Sequence, residues 1–158
     1  MNQITVIIPT FNEELHIRRC ILSMKCISSN IYILDSFSTD STKEIALSLG
    51  VNVLEVKWEN SYAKKFNWGL DNIKIETPWV MRMDADEYLT DELIIEINQK
   101  INNISSDISG IYIKRRVYFM DKWIKYGGVY PTVLLRIWRN NTGICEEKLM
   151  DEHIKLFS

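Results

Sequence analysis

Asp84-Ala85-Asp86 is the segment best equipped for chemistry, because it ends an apolar run at residues 79–83 instead of decorating a polar loop. Carboxylates crowded at one edge repel one another unless a cation or a hydroxyl-rich ligand engages their lone pairs. Hard oxygen donors of this kind suit Mg2+ or Mn2+ better than zinc, which prefers nitrogen and sulfur. Other apolar runs end in polar residues too. Thr10, Asn12 and Glu13 follow residues 3–8, and Asp35 and Ser36 close the run that begins at Ile31. Each has a plainer role: Asn12 and Glu13 suit a helix start, Asp40 and Ser41 suit caps, and Asp35 suits a turn. Acid-x-acid triplets also arise by chance. Position, more than composition, singles this one out.

Those positions acquire meaning only if strands carry them. Residues 3–8 form a continuous β-branched run that Pro9 is expected to end, as in a strand buried on both faces. Asn12 is placed to cap a helix, with Glu13 and Glu14 against its dipole and Ile17, Cys20, Ile21 and Met24 at helical spacing. A second strand covers residues 31–35, and Ser41 with Glu44 has the pattern of a capping box for a helix that Gly50 ends. Residues 51–56 read as a third strand, followed by a helix through Tyr62, Phe66 and Leu70 that Gly69 weakens. After the strand at residues 79–83, Thr90 caps a helix with Leu93, Ile94, Ile97 and Ile101 inward. Residues 110–119 and 133–138 read as strands, with Gly127-Gly128 and Pro131 marking a turn between them. Strands alternating with helices predict an α/β fold with a largely parallel, doubly wound sheet. In such a sheet, ligands bind beyond the carboxyl ends of the strands, where the polar residues above fall.

A chain of 158 residues with 46% apolar and 25% charged residues has the size and balance of one soluble domain. Its formal net charge of −2 provides no overall field for nucleic acid. Three cysteines without a CxxC pair argue against a disulfide framework or a zinc site, and Cys20 fits a buried thiol. With no basic, long apolar start and no membrane-length run, the expected compartment is the cytoplasm. No GxGxxG follows the first strand and no GxxxxGK[ST] is present, so a nucleotide diphosphate would need its charge offset by a divalent cation. Little sequence follows Asp151-Glu152-His153, so a fragment or an unusually short protein is expected.

Four segments in order resemble glycosyltransferase family 2, whose members have the GT-A fold: VIIPTFNEE at 6–14, ILDSFSTDST at 33–42, YAKKFNWGL at 62–70 and RMDADEYL at 82–89. ICEEKLMDEHI at 144–154 is similar to the acceptor-side motif of bacterial members that extend surface polysaccharides or lipopolysaccharide cores. The resemblance implies a single GT-A domain over 1–158, a Rossmann-like, mostly parallel sheet flanked by helices. Residues 1–90 would be its nucleotide-sugar-binding half and 91–158 a truncated acceptor-side half. It further implies a nucleotide-diphosphate sugar donor, commonly a UDP-sugar, a Mn2+ or Mg2+ ion, and a saccharide or lipid-linked saccharide acceptor. Nucleic acid is not an expected partner; peripheral contact with the inner face of a membrane is.

By position, the resemblance sets Pro9, Thr10 and Phe11 against the base and Glu13 at the ribose. Asp35 would help hold the base, with Ser36 beside it where many relatives carry a second aspartate. Lys64 or Lys65 would assist the phosphates, Asp84 would meet the ribose or the metal, and Asp86 would coordinate the metal at the diphosphate. Transfer in this family is usually inverting. The base would be Asp151, then Glu152, with His153 adding a nitrogen ligand or orienting the base. On the acceptor side, Trp123, Tyr126 and Tyr130 are candidates for stacking on sugars. Lys114, Arg115, Arg116, Arg136 and Arg139 are candidates for acceptor phosphates, a solvated strand face being the plainer reading. Three rivals stand beside this reading. The weakest, a DxD-type phosphatase, would want its nucleophilic acid on the first strand, which here ends in Pro9-Thr10. A sugar-phosphate nucleotidyltransferase would need a glycine-rich basic loop where this chain has Pro9-Thr10-Phe11-Asn12-Glu13-Glu14, and a truncated module would bind donor without catalysis.

Overall fold

The structure, a computed structural model, describes residues 3–148 and 152–157. Four βα units open the chain: β1 (Ile4–Thr10), α1 (Ile17–Lys25), β2 (Asn30–Asp35), α2 (Thr42–Ser48), β3 (Asn52–Glu55), α3 (Tyr62–Asn72), β4 (Trp79–Arg82) and α4 (Asp91–Lys100). Then come β5 (Gly110–Arg115), β6 (Tyr118–Phe119), β7 (Lys122–Trp123), β8 (Thr132–Arg139), β9 (Gly143–Cys145) and β10 (Ile154–Leu156). The main sheet has six strands in the order β3-β2-β1-β4-β8-β5. β1 to β4 run parallel, whereas β8 lies antiparallel to both β4 and β5. Strand order therefore reverses between β1 and β4, which opens a crevice past their carboxyl ends.

Period-two alternation along β1 sends Val6 and Ile8 to one face and Ile7 to the other. The first face packs against Ile17, Cys20, Ile21 and Met24 of α1, Ala46 of α2 and Ile97 of α4. The second packs with Leu34 and Val80 against Ala63 and Phe66 of α3, and with Trp138, Cys145 and Ile154. Both faces are covered, so the parallel strands read as unbroken apolar runs. Gly69 does not weaken α3 to the point of loss. A Cβ there would lie 2.6 Å from Leu34 Cδ1, so glycine lets the helix sit directly on β2.

Local expectations fail where tertiary contacts supply a better partner. Pro9 does not end β1; it pairs in register with Leu34, and the strand continues to Thr10. Thr10 O accepts from Ser36 N on the β2 side, and Ile7 O accepts from Met83 N on the β4 side. The missing Pro9 N–H thus faces β4 beyond the last Ile7↔Arg82 pair, where the ladder has no use for it. Asn12 does not cap α1. It adopts φ 53°, a turn through residues 13–16 follows, and the helix begins at Ile17. Ser41 makes no side-chain cap bond; Asp40 performs that task by accepting from Thr42 N at 3.0 Å. Thr90 caps α4 as expected, accepting from Leu93 N. The strand expected over 110–119 stops at Arg115, after which Met120 and Asp121, with φ 47° and 59°, turn β6 into β7. Among the described residues no helix is long and apolar enough to cross a membrane.

Candidate functional site

The carboxyl ends of β1 and β2 are locked together before any ligand arrives. Register places Thr10 opposite Asp35, whose fully buried carboxylate accepts from Thr10 Oγ1 at 3.0 Å, Ser38 N at 2.8 Å and Ser38 Oγ at 2.6 Å. Asn12 N donates to Ser38 Oγ, and Asn12 Oδ1 accepts from Thr39 N, so the two loops share hydrogen bonds in both directions. Glu13 N donates to Thr42 Oγ1 at 2.7 Å, and Glu14 N to Asp40 Oδ2 at 3.1 Å. From α3, the buried Lys65 reaches in and donates to Thr10 O at 2.6 Å. Burial lowers its ammonium to about 8, against the opposing pull of Asp35. Phe11 and Phe37 stand exposed on the two loops, and the buried Ser36 hydroxyl beside them finds no partner among the described residues.

On the far side of the crevice, β4 delivers Asp84, Asp86 and Glu87. Arg136 of β8 grips two of these, donating to Asp84 Oδ2 at 2.9 Å and to both Glu87 oxygens at 2.7 Å. Arg82 adds a longer contact to Asp84 at 3.4 Å. Burial raises the Asp84 carboxyl, but Arg136 and Arg82 outweigh it and hold the group below its usual value. The exposed Asp86 differs: no hydrogen bond or ion pair reaches its carboxylate among the described residues. It lies close enough to Glu13 that burial and then the Asp86 charge raise the Glu13 carboxyl. Loops after β1 and β4 therefore face each other across the switch point.

Among the described residues, no three His, Cys, Asp or Glu side chains converge as a closed metal cage. One unengaged carboxylate nonetheless fits a cation that draws its remaining oxygens from phosphate and water, the usual habit of Mg2+. Beside Asp84 lies a cavity of about 260 Å3, lined by Arg82, Arg115, Arg136, Glu152 and His153 among others. Asp151, the first expectation for the base, falls outside the described residues.

The family model described as glycosyl transferase family 2 matches residues 5–147. The chain belongs to glycosyltransferase family 2. An uncharacterized glycosyltransferase of Rickettsia typhi is 37% identical over 97 residues, covering 61% of this chain and 32% of its own. The chain thus spans about a third of the length of that curated relative. Staphylococcus aureus TarS 1–349, solved with UDP, is similar with a TM-score of 0.52 and 24% identity, over 63% of this chain and 32% of that one. Glucosyl-3-phosphoglycerate synthase from Mycobacterium tuberculosis, solved with Mn2+, UDP and glucosyl-3-phosphoglycerate, gives 0.54 and 21%, over 69% and 42%. At such identities the likeness speaks for the GT-A fold.

Within this family 2 domain, Pro9, Thr10, Phe11, Glu13, Asp35 and Ser36 gather on one edge, with Asp84 and Asp86 opposite. Lys64 is exposed on α3, whereas Lys65, the other candidate for the phosphates, turns inward and donates to Thr10 O of β1. Arg136 is engaged by acids. Arg139 stacks on Trp79 at 3.9 Å and donates to the carbonyls of Ile104, Ser105 and Ile108, so it braces the far end of the sheet. Sequence reasoning overlooked Ser38, Glu87, Arg82 and Asn67. Asn67 bonds both the N–H and the C=O of Cys145, at 2.9 and 2.8 Å, and so ties α3 to β9. No spacing rule signals a partner 78 residues away.

Proposed function

We propose that this chain carries the donor site of an inverting glycosyltransferase that moves a sugar from a UDP-sugar to a saccharide or lipid-linked saccharide. The supporting observation is the pairing of two unlike loops at one switch point: a hydrogen-bonded loop pair built around the buried Asp35 and an unengaged Asp86 carboxylate opposite it. In this reading Pro9, Thr10, Phe11 and Ser36 border the base, Asp35 helps to hold it by fixing the two loops, and Glu13 meets the ribose. Lys64 stands near the phosphates. Such a donor fits a cytoplasmic reaction.

Asp86, with Asp84 behind it and His153 as a further nitrogen donor, would hold Mn2+ or Mg2+ at the diphosphate. A bound divalent ion supplies stabilisation of negative charge on the leaving group. The protein's own task is the proton. A carboxylate, Asp151 or Glu152, takes it from the acceptor hydroxyl as that oxygen bonds to the anomeric carbon. The carbon's bond to the diphosphate oxygen breaks on the opposite face, which inverts the centre. Glu152 lines the cavity that also holds Asp84, which supports the acceptor-side assignment.

Calorimetry of a UDP-sugar with and without Mn2+ tests the reading. Wild-type protein is expected to bind in an ion-dependent way, and Asp86→Ala to lose that binding while melting at the same temperature. Equal affinity in both proteins, indifferent to Mn2+, would remove the metal assignment. Donor binding without transfer or hydrolysis would favour a binding module over an enzyme.

A further inference from the structure

Exposed apolar side chains gather around β6 and β7, where Phe119 is 65%, Met120 80% and Tyr126 86% exposed. The same stretch, residues 112–126, holds Lys114, Arg115, Arg116, Lys122 and Lys125 against the single acid Asp121, in a chain whose net charge is −2. An apolar tip among cations departs from the mixed charge of an ordinary soluble surface.

Pairing explains how the tip is held out. Tyr118 opposes Trp123 and Phe119 opposes Lys122, and directly opposed residues share a face. Trp123 is half-buried, edge-on to Tyr130 at 5.1 Å, with Arg116 and Lys125 at 4.9 and 4.4 Å from its ring. The Trp123–Tyr130 contact anchors one face of the hairpin, and Arg116 and Lys125 stay exposed beside it. Phe119 and Lys122 take the other, with Met120 at the turn.

We propose that the β6–β7 hairpin is a docking element for an anionic lipid surface. Phe119 and Met120 enter the boundary between headgroups and acyl chains, while Lys122, Lys125 and Arg116 meet lipid phosphates. An anionic bilayer offers a negative surface and an apolar interior within a few ångströms of each other, which matches the hairpin on both counts. β5 and β4 both run antiparallel to β8, so the hairpin leaves the sheet at the edge that carries Asp84. Arg115, at the end of β5, lines the cavity beside Asp84. Docking then brings that cavity to headgroup level, where a lipid-linked saccharide presents its hydroxyls. Only this last step rests on the proposed transferase reading; the docking itself does not.

Vesicle flotation tests it, using phosphatidylcholine alone and phosphatidylcholine with about one third phosphatidylglycerol. The protein is expected to float with the anionic vesicles, weakly with the neutral ones, and less at high salt. Each cation near such a surface multiplies partitioning about fivefold, so Lys122→Glu with Lys125→Glu should lower it about 25-fold or more. Phe119→Asp with Met120→Asp should lower it about tenfold. Both variants should keep the wild-type melting temperature and UDP-sugar affinity in solution. No flotation of the wild type, equal flotation of the variants, or a hairpin variant that instead dissolves a dimer in sedimentation would each overturn the proposal. Intact flotation beside absent donor binding would support docking and remove the transferase reading.

Discussion

The edge formed by β1 and β2 and the edge formed by β4, β5 and β8 solve the same physical problem differently. At the first, polar groups are buried and satisfied mostly by uncharged donors: Asp35 rests on one hydroxyl of Thr10 and two donors of Ser38. At the second, charges face charges: Arg136 spans Asp84 and Glu87, with Arg82 and Arg115 close by. A hydrogen-bonded loop pair is rigid and insensitive to salt, whereas an ion-pair cluster answers to pH and to incoming ions. On the proposed donor-site reading, the first would recognise a flat, neutral base and the second would receive the diphosphate and its cation. Asp86, outside both networks, marks the boundary between them.

Three substitutions would sharpen or break that contrast. Asp35→Ala should have the largest effect, leaving three donors unpaired in a buried site, and is expected to cost about 4 kcal/mol in urea denaturation. A loss below about 1 kcal/mol would mean that water replaces the carboxylate and the first edge is not closed.

Arg136→Met should cost about 3 kcal/mol at neutral pH, because it leaves Asp84 and Glu87 only the longer contacts to Arg82 and Arg115, and the loss should depend on pH. In the wild type, Asp84 is held below its usual value, so its stabilisation is present above the unfolded carboxylate range. It fades as pH falls through the lower folded value. Glu87 runs the other way, since burial raises its carboxyl even beside Arg136. Without the guanidinium both acids bind protons more readily, so the stability lost to Arg136→Met should shrink towards pH ~4. Parallel pH profiles for the two proteins would show that Arg136 contributes packing alone.

Lys65→Met should have the smallest effect at neutral pH and be visible chiefly in alkali. The folded ammonium titrates at about 8, below the unfolded lysine value of 10.5. Across that window the unfolded chain holds the proton and the folded one does not, so rising pH favours folding. The stability of the wild type relative to Lys65→Met should therefore climb by roughly 3 kcal/mol between the two values. A flat difference would place Lys65 in contact with water.

Much of this was legible in the residues. Apolar runs of β-branched residues identified the strands, since burial on both faces leaves no room for alternation. Recurrence at Ile17, Cys20, Ile21 and Met24 identified the first helix for the converse reason. Asp84 and Asp86 could be singled out because acids that interrupt an apolar run must be answered by something. Pro9 and Asn12 misled, because their local habits were overridden by a ladder that needed no N–H and by a neighbouring loop that needed an acceptor.

Sequence by itself thus determined the class of fold, the order of the βα units as far as α4 and the sheet edge on which the polar residues fall, since all three follow from periodicity and local polarity. Only the tertiary structure decided which acids are free. Asp84 and Asp86 are two residues apart and chemically identical, yet β8 brings Arg136 to one and nothing to the other among the described residues. Availability for a ligand depends on what the rest of the chain folds against a side chain, and spacing along the chain does not carry that information.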